Sequence, residues 1–117
     1  MPGLGTHLLA DFSGCDPSVL DDVSRIRQAM EEAARVAGAT RLSSRFHRFT
    51  PCGVTGVVTL RESHLAIHTW PEHGFAAADF FTCGAGVDPW KAHAVLKRVL
   101  GSKSESTREI RRGPAPL

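Results

Sequence analysis

The spacing of apolar and polar positions changes several times along the chain, and each change marks an element. Residues 6–12 (THLLADF) read as a short strand, ended by Ser13-Gly14 and Cys15-Asp16-Pro17. From about residue 17, Val19, Leu20, Val23, Ile26, Met30, Ala33, Ala34 and Ala37 recur at the spacing of one helical face, and Gly38 suits a C-terminal cap. One helix is expected there. Residues 40–50 read as a strand closed by Pro51, with a turn at Cys52-Gly53. Residues 54–60 are β-branched and apolar, 65–70 alternate, and 75–83 are rich in aromatics. Their short connections predict an antiparallel meander.

Asp88-Pro89 opens a second helix, with Asp as N-cap, Pro in the first turn, and Trp90, Ala94, Val95, Leu96 and Val99 as its apolar positions. Trp90 is assigned to packing. Residues 103–112 have the length of a last strand but are nearly all polar, and the tail from Gly113 reads as disordered. The order β-α-β-β-β-β-α, with a final strand left open, predicts an α+β two-layer sandwich: an antiparallel sheet with two helices packed on one face. Trp70, Phe75 and Phe81 supply more aromatic surface than a one-sided sheet needs, which hints at a partner over the other face.

Composition narrows the field. The 117 residues suffice for a single domain, 1–117, with one core. Apolar residues make up 42% and charged residues 22%, the balance of a soluble globular protein. The net charge is +2 and the basic residues are scattered except near the C-terminus, so no nucleic-acid surface is indicated. No apolar run approaches the ~20 residues that cross a bilayer, so no membrane association is expected. No secretory signal is visible. Cys15, Cys52 and Cys83 are an odd number at irregular spacing, which argues against a disulfide framework and for a reducing, cytoplasmic setting.

Candidate chemistry concentrates in 54–84. Glu62, Ser63 and His64 sit between two apolar strands, with His68, Trp70, Glu72 and Cys83 close behind. His64 and His68 are four apart, so on a strand they share a side with Ala66 and Trp70. Taken residue by residue, Ser63 is an ordinary hairpin serine, and the histidines are either a hydrogen-bonded, half-buried pair or the wall of a pocket. Cys15 reads as a small buried hydrophobe. A zinc site from His64, His68, His73 and Cys83 lacks ligand spacing of the Cys-x2-Cys or His-Glu-x-x-His kind, and His73 lies beyond a turn, so no metal is expected.

The segments GTHLLADFSGCD (5–16), EEAARVAGAT (31–40), FHRFTPCGVTG (46–56), RESHLAIHTWPEHGF (61–75), DFFTCG (79–84) and VDPWKA (87–92) occur in order. Together, over roughly residues 5–100, they resemble the prokaryotic S-adenosylmethionine decarboxylases, small pyruvoyl-dependent enzymes of spermidine synthesis. Decarboxylation leaves a carbanion that no ordinary side chain can hold, and a covalently bound pyruvoyl group derived from Ser63 would supply the electron sink. The resemblance implies autocatalytic serinolysis at Glu62–Ser63, dividing the chain into a β chain, 1–62, and an α chain, 63–117. It implies His68 as base of that step. It also implies Cys83 as the acid that returns a proton to the product carbon, its thiol tuned by a nearby histidine. Phe49 and Trp70 would clamp the methylthioadenosine part of the substrate and Glu72 would meet its ribose hydroxyls. A homodimer with active sites near the interface is implied as well.

The chain departs from the family pattern at Thr55, where the resemblance calls for a serine that assists processing. Threonine keeps the hydroxyl but stiffens its rotamer. Cys52 has no role in the family pattern and reads as structural. Two alternatives stay open: an arginine or ornithine decarboxylase with the same pyruvoyl chemistry, and an unprocessed nucleoside-binding homologue.

Overall fold

A computed structural model describes residues 4–83 and 86–114. The elements are β1 (Gly5–Ser13), α1 (Pro17–Leu20), α2 (Val23–Val36), β2 (Arg41–Arg48), β3 (Val54–Leu60), β4 (Ser63–Trp70), β5 (Phe75–Thr82), α3 (Pro89–Leu100) and β6 (Ser104–Arg112). A one-turn 3-10 helix, Pro71–His73, joins β4 to β5. The strands form one sheet in the order β2-β3-β4-β5-β1-β6, every neighbouring pair antiparallel. The helices cover one face. This is the α+β sandwich that the sequence pattern predicts.

Strand alternation sorts side chains between the faces. Leu8, Ala10 and Phe12 of β1, Val54, Val58 and Leu60 of β3, Leu65 and Ile67 of β4, and Ala76, Ala78 and Phe80 of β5 are buried in the core. They meet Ile26, Met30, Ala33, Val95, Leu96 and Leu100 from α2 and α3. Cys15 joins this cluster, as its reading as a hydrophobe implies. Gly56 of β3 is the gap that admits the Phe46 ring, which a Cβ there would meet at 2.0 Å.

Three expectations need correction. The single helix from residue 17 is two, because Asp22 caps a fresh start by accepting from the Ser24 and Arg25 amides. Periodicity is blind to this break, since Val19, Leu20, Val23 and Ile26 stay near one face across it. In α3 the buried residues are Ala92, His93, Val95, Leu96 and Leu100; Ala94 is exposed. Trp90 is 43% exposed, and its indole Nε1 donates to Glu109 at 3.0 Å instead of filling the core. The last strand does form, as an edge paired with β1 along its length. An edge strand needs backbone pairing more than apolar side chains. The carboxylates of β6 are met from α3, Glu105 by Lys97 at 3.2 Å and Glu109 by Trp90. The tail expected to be disordered from Gly113 lies mostly at 115–117, outside the described residues.

Candidate active site

Among the described residues, no helix covers the second face of the sheet. Register pairs Thr55 with His68, His64 with Phe81, Trp70 with Phe75, and His7 with Phe81, so these side chains share the open side. Two groups of reactive residues lie along these strands, one towards each end.

The first is at the β3–β4 hairpin. Leu60 pairs with Ser63, leaving Arg61-Glu62 as a two-residue turn. Ser63 has φ of 140°, the one positive value for a non-glycine residue among those described, in a region where a Cβ is costly. The preceding carbonyl is doubly engaged: Glu62 O accepts from the Cys83 amide at 2.9 Å and from the Cys83 thiol at 3.1 Å. Thr40 holds the turn from the other side, its amide donating to Glu62 Oε1 at 3.0 Å and its carbonyl accepting from the Arg61 amide at 2.9 Å. The Thr40 amide also holds the Glu62 carboxyl below its ordinary range. The arrangement can polarise one carbonyl, with a strained serine immediately after it and donors placed where an oxyanion would form. The thiol's partner is this carbonyl rather than a histidine.

The second group surrounds a cleft of about 310 Å³ lined by Phe49, Cys52, Gly53, Thr55, His68, Thr69, Trp70 and Glu72. Phe49 and Trp70 are 46% and 41% exposed, so packing does not account for these rings. His68 Nδ1 and Thr55 Oγ1 share a hydrogen bond at 3.1 Å. Cys52, read from sequence as structural, instead lines this cleft with its thiol 3.5 Å from Glu72 Oε1. Burial, with the Glu72 carboxylate beside it, pushes this thiol up and keeps it a donor.

The structure does not bring all the predicted residues together in one chain. Ser63 and His68 stand five residues apart on the same strand, roughly 16 Å by the rise of a β-strand. Glu62, Ser63 and Cys83 form one half; Phe49, Thr55, His68, Trp70 and Glu72 form the other.

Sequence reasoning passed over a third feature between strands. Asp79 Oδ2 accepts from His7 Nε2 at 2.7 Å and from His64 Nε2 at 2.9 Å. Arg112 donates to His7 Nδ1 at 3.1 Å, which fixes the proton of that ring on Nε2. These three ligand atoms lie close enough to hold a metal ion, but with the protons so arranged they form a closed hydrogen-bond network that ties residue 64 to β1 and β5. Alternation places Asp79 on the open face two residues before Phe81, and a carboxylate inside an aromatic strand was the available signal.

The class defined by this fold and these half-sites is a small α+β sandwich carrying a serine poised behind a polarised carbonyl, the geometry of a chain equipped to cleave itself. Comparison makes the assignment specific. The family pattern described as S-adenosylmethionine decarboxylase matches residues 6–113. Proteins named S-adenosylmethionine decarboxylase proenzyme are 55% identical in Thermosipho africanus and 56% identical in Thermotoga maritima, each over 97% of this chain and 87% of its relative. The crystal structure of the adenosylmethionine decarboxylase from Aquifex aeolicus superposes with a TM-score of 0.89 at 41% identity, covering 97% of this chain and 93% of that one. The Trypanosoma brucei AdoMetDC-delta26 monomer shares the fold alone, with a TM-score of 0.65 at 19% identity over 87% of this chain and 44% of that chain. The chain belongs to the S-adenosylmethionine decarboxylase family, whose pyruvoyl group arises from an internal serine by autocatalytic cleavage.

Proposed function

We propose that this chain is a proenzyme that cleaves itself at Glu62–Ser63 and then decarboxylates S-adenosylmethionine, yielding the aminopropyl donor of spermidine biosynthesis. The observation that carries the reading is the pair of Cys83 donors on the carbonyl of Glu62, next to a serine held at φ of 140°. The Ser63 hydroxyl attacks that carbonyl and the chain shifts from amide to ester. Removal of the Ser63 α-proton expels the Glu62 carboxylate, ending the β chain at 62. The dehydroalanine left at 63 takes up water, releases ammonia and becomes a keto group at the start of the α chain. When present, that pyruvoyl group supplies the electron sink for the carbanion left by CO2.

The remaining roles belong to this chain's own residues. Cys83 and the Cys83 amide hold the oxyanion during cleavage, and the thiol, freed from the severed carbonyl, protonates the product carbon. His68 removes the α-proton, with Thr55 orienting its ring through Nδ1. Phe49 and Trp70 clamp the adenine and thioether region, and Glu72 accepts from the ribose hydroxyls. The presence of these three in one cleft favours a nucleoside substrate over arginine or ornithine.

The distance between the half-sites is bridged by a homodimer. Two open faces packed together about a two-fold axis running across the strands place the Ser63 end of one copy over the His68 end of the other. The uncovered aromatic surface supports that arrangement. No helix among the described residues is long and apolar enough to cross a membrane, and the free cysteines suit the cytoplasm.

The test is intact-mass analysis of purified protein incubated separately with S-adenosylmethionine, arginine or ornithine, each with a borohydride reductant. Two fragments split at 62/63, with an adduct on the 63–117 fragment only from S-adenosylmethionine, are expected. Ser63→Ala should stay at full mass and inactive. An adduct only from an amino acid moves the substrate to that class, and an uncleaved wild-type chain leaves a nucleoside-binding protein.

A further inference from the structure

The helix break at Asp21-Asp22 has a second consequence. Were residues 17–37 one helix, the Asp21 carbonyl would be engaged within it and its side chain would lie along the helix surface. Instead Asp21 turns toward the loop that follows β2. Its Oδ1 accepts from the Gly53 amide at 2.9 Å, and its Oδ2 from Arg48 Nη2 at 2.7 Å. Its backbone carbonyl accepts from Arg48 Nε at 3.2 Å. Arg48 Nη2 also reaches Pro51 O at 3.4 Å. The loop closes on itself through the Phe49 amide and Gly53 O at 2.8 Å. Gly53 sits at φ of 107° with the Thr69 carbonyl 3.1 Å from where a Cβ would be, so a side chain there would be strained and crowded. The neighbouring residue Leu20 is also tied in, its carbonyl accepting from Thr69 Oγ1 at 2.7 Å, which in turn accepts from the Val54 amide at 2.9 Å.

We infer that Asp21 and Arg48 are positioning residues for the nucleoside cleft: they hold the 49–53 loop so that Phe49 faces the substrate and the Cys52 thiol aims the Glu72 carboxylate. This rests on the reading of that cleft as the nucleoside half-site. An exposed ion pair alone would be worth little. Here three of the contacts are to backbone groups, the Gly53 amide and the Asp21 and Pro51 carbonyls, and they fix loop geometry rather than add charge attraction. Neither residue lines the cleft, so the effect falls on binding and leaves the chemical step alone.

The experiment uses full-length chains. Methylthioadenosine binding is measured by calorimetry in the Ser63→Ala background, and KM and kcat for S-adenosylmethionine in the cleavable one, each with a thermal melt. Asp21→Ala and Arg48→Ala should raise Kd and KM about tenfold, as expected when hydrogen bonds to a charged group are lost, with kcat and the cleaved fraction within about twofold of the parent. Asp21→Asn, which keeps an oxygen for the Gly53 amide but sets its amide nitrogen against Arg48, should recover part of the loss and fall between the parent and Asp21→Ala. A lowered melting temperature with unchanged Kd and KM would make the clamp merely structural and overturn the inference. Glu72→Gln is the control. If it weakens methylthioadenosine binding and Asp21→Ala does not, the clamp fails while the cleft reading stands. If neither weakens binding, the two fall together.

Discussion

The two faces of the sheet are built from the same strands but obey different rules. On the helix-covered face, register positions carry Leu, Val, Ile, Phe and Ala, and the buried Thr69 is tied down by bonds to Leu20 O and the Val54 amide. On the open face the same strands alternate to Thr55, His64, His68, Trp70, Asp79 and His7. One face minimises its apolar contact with water. The other leaves Phe49 and Trp70 partly in solvent and lines up titratable side chains in place of apolar ones, which is the condition of a surface kept for chemistry. The difference shows that a period-two strand can serve stability and reactivity at once, one on each side.

The widest contrast is in stability. Phe80 is fully buried and Val57 is 38% exposed on the open side. Phe80→Ala should cost about 3–5 kcal/mol in urea unfolding. Val57→Ala should cost less than about 1 kcal/mol in dilute protein, and under the proposed homodimer any larger cost should grow with protein concentration. Equal costs at high dilution would erase the distinction between the faces.

Next in size is the effect of Cys83 on cleavage. Losing its thiol removes one of two donors on Glu62 O, so Cys83→Ala should slow the appearance of the 63–117 fragment about ten- to a hundredfold, while Cys83→Ser retains most of the rate. A Cys83→Ala chain that cleaves at the parental rate would remove the thiol from this step.

Thr55 offers a smaller test. Its hydroxyl shares a hydrogen bond with His68, so Thr55→Ala should slow cleavage about tenfold, and Thr55→Ser should cleave at least as fast as the parent. A slower Thr55→Ser chain would mean that the threonine methyl, and not the hydroxyl alone, orients His68.

The smallest effect belongs to the covered face. His93 is buried against Phe12, with ring centroids 5.2 Å apart, and its Nε2 has no hydrogen-bond partner among the described residues. Burial pushes its pKa below the ordinary 6.5, against an opposing pull from Glu105. The folded chain therefore binds fewer protons here than the unfolded chain. The stability this represents is fully present above pH 6.5 and is lost as pH falls through the interval below it. Unfolding midpoints measured from pH 7 down to 5 should decline, and in His93→Phe they should decline less. An unchanged slope would assign the acid sensitivity elsewhere.

Much of this architecture can be read along the chain. The four central strands and the helix that opens at the Asp88 cap follow from local spacing, because a strand or helix face repeats at short range. The motif series brings Ser63, His68, Cys83, Phe49, Trp70 and Glu72 into view as a set. Other features depend on contacts between distant residues. Asp21 breaks a periodic helix to hold Gly53, 32 residues away. Asp79 gathers His7 and His64, and Cys52 moves from spare residue to cleft wall. Ser63 and His68, five residues apart in the sequence, end at opposite ends of one strand because extended backbone separates them. Local sequence determined which backbone periods could form and which side chains could react. Tertiary structure decided which of them meet, since a hydrogen bond across the sheet depends on register and loop path, and no short stretch of sequence encodes either alone.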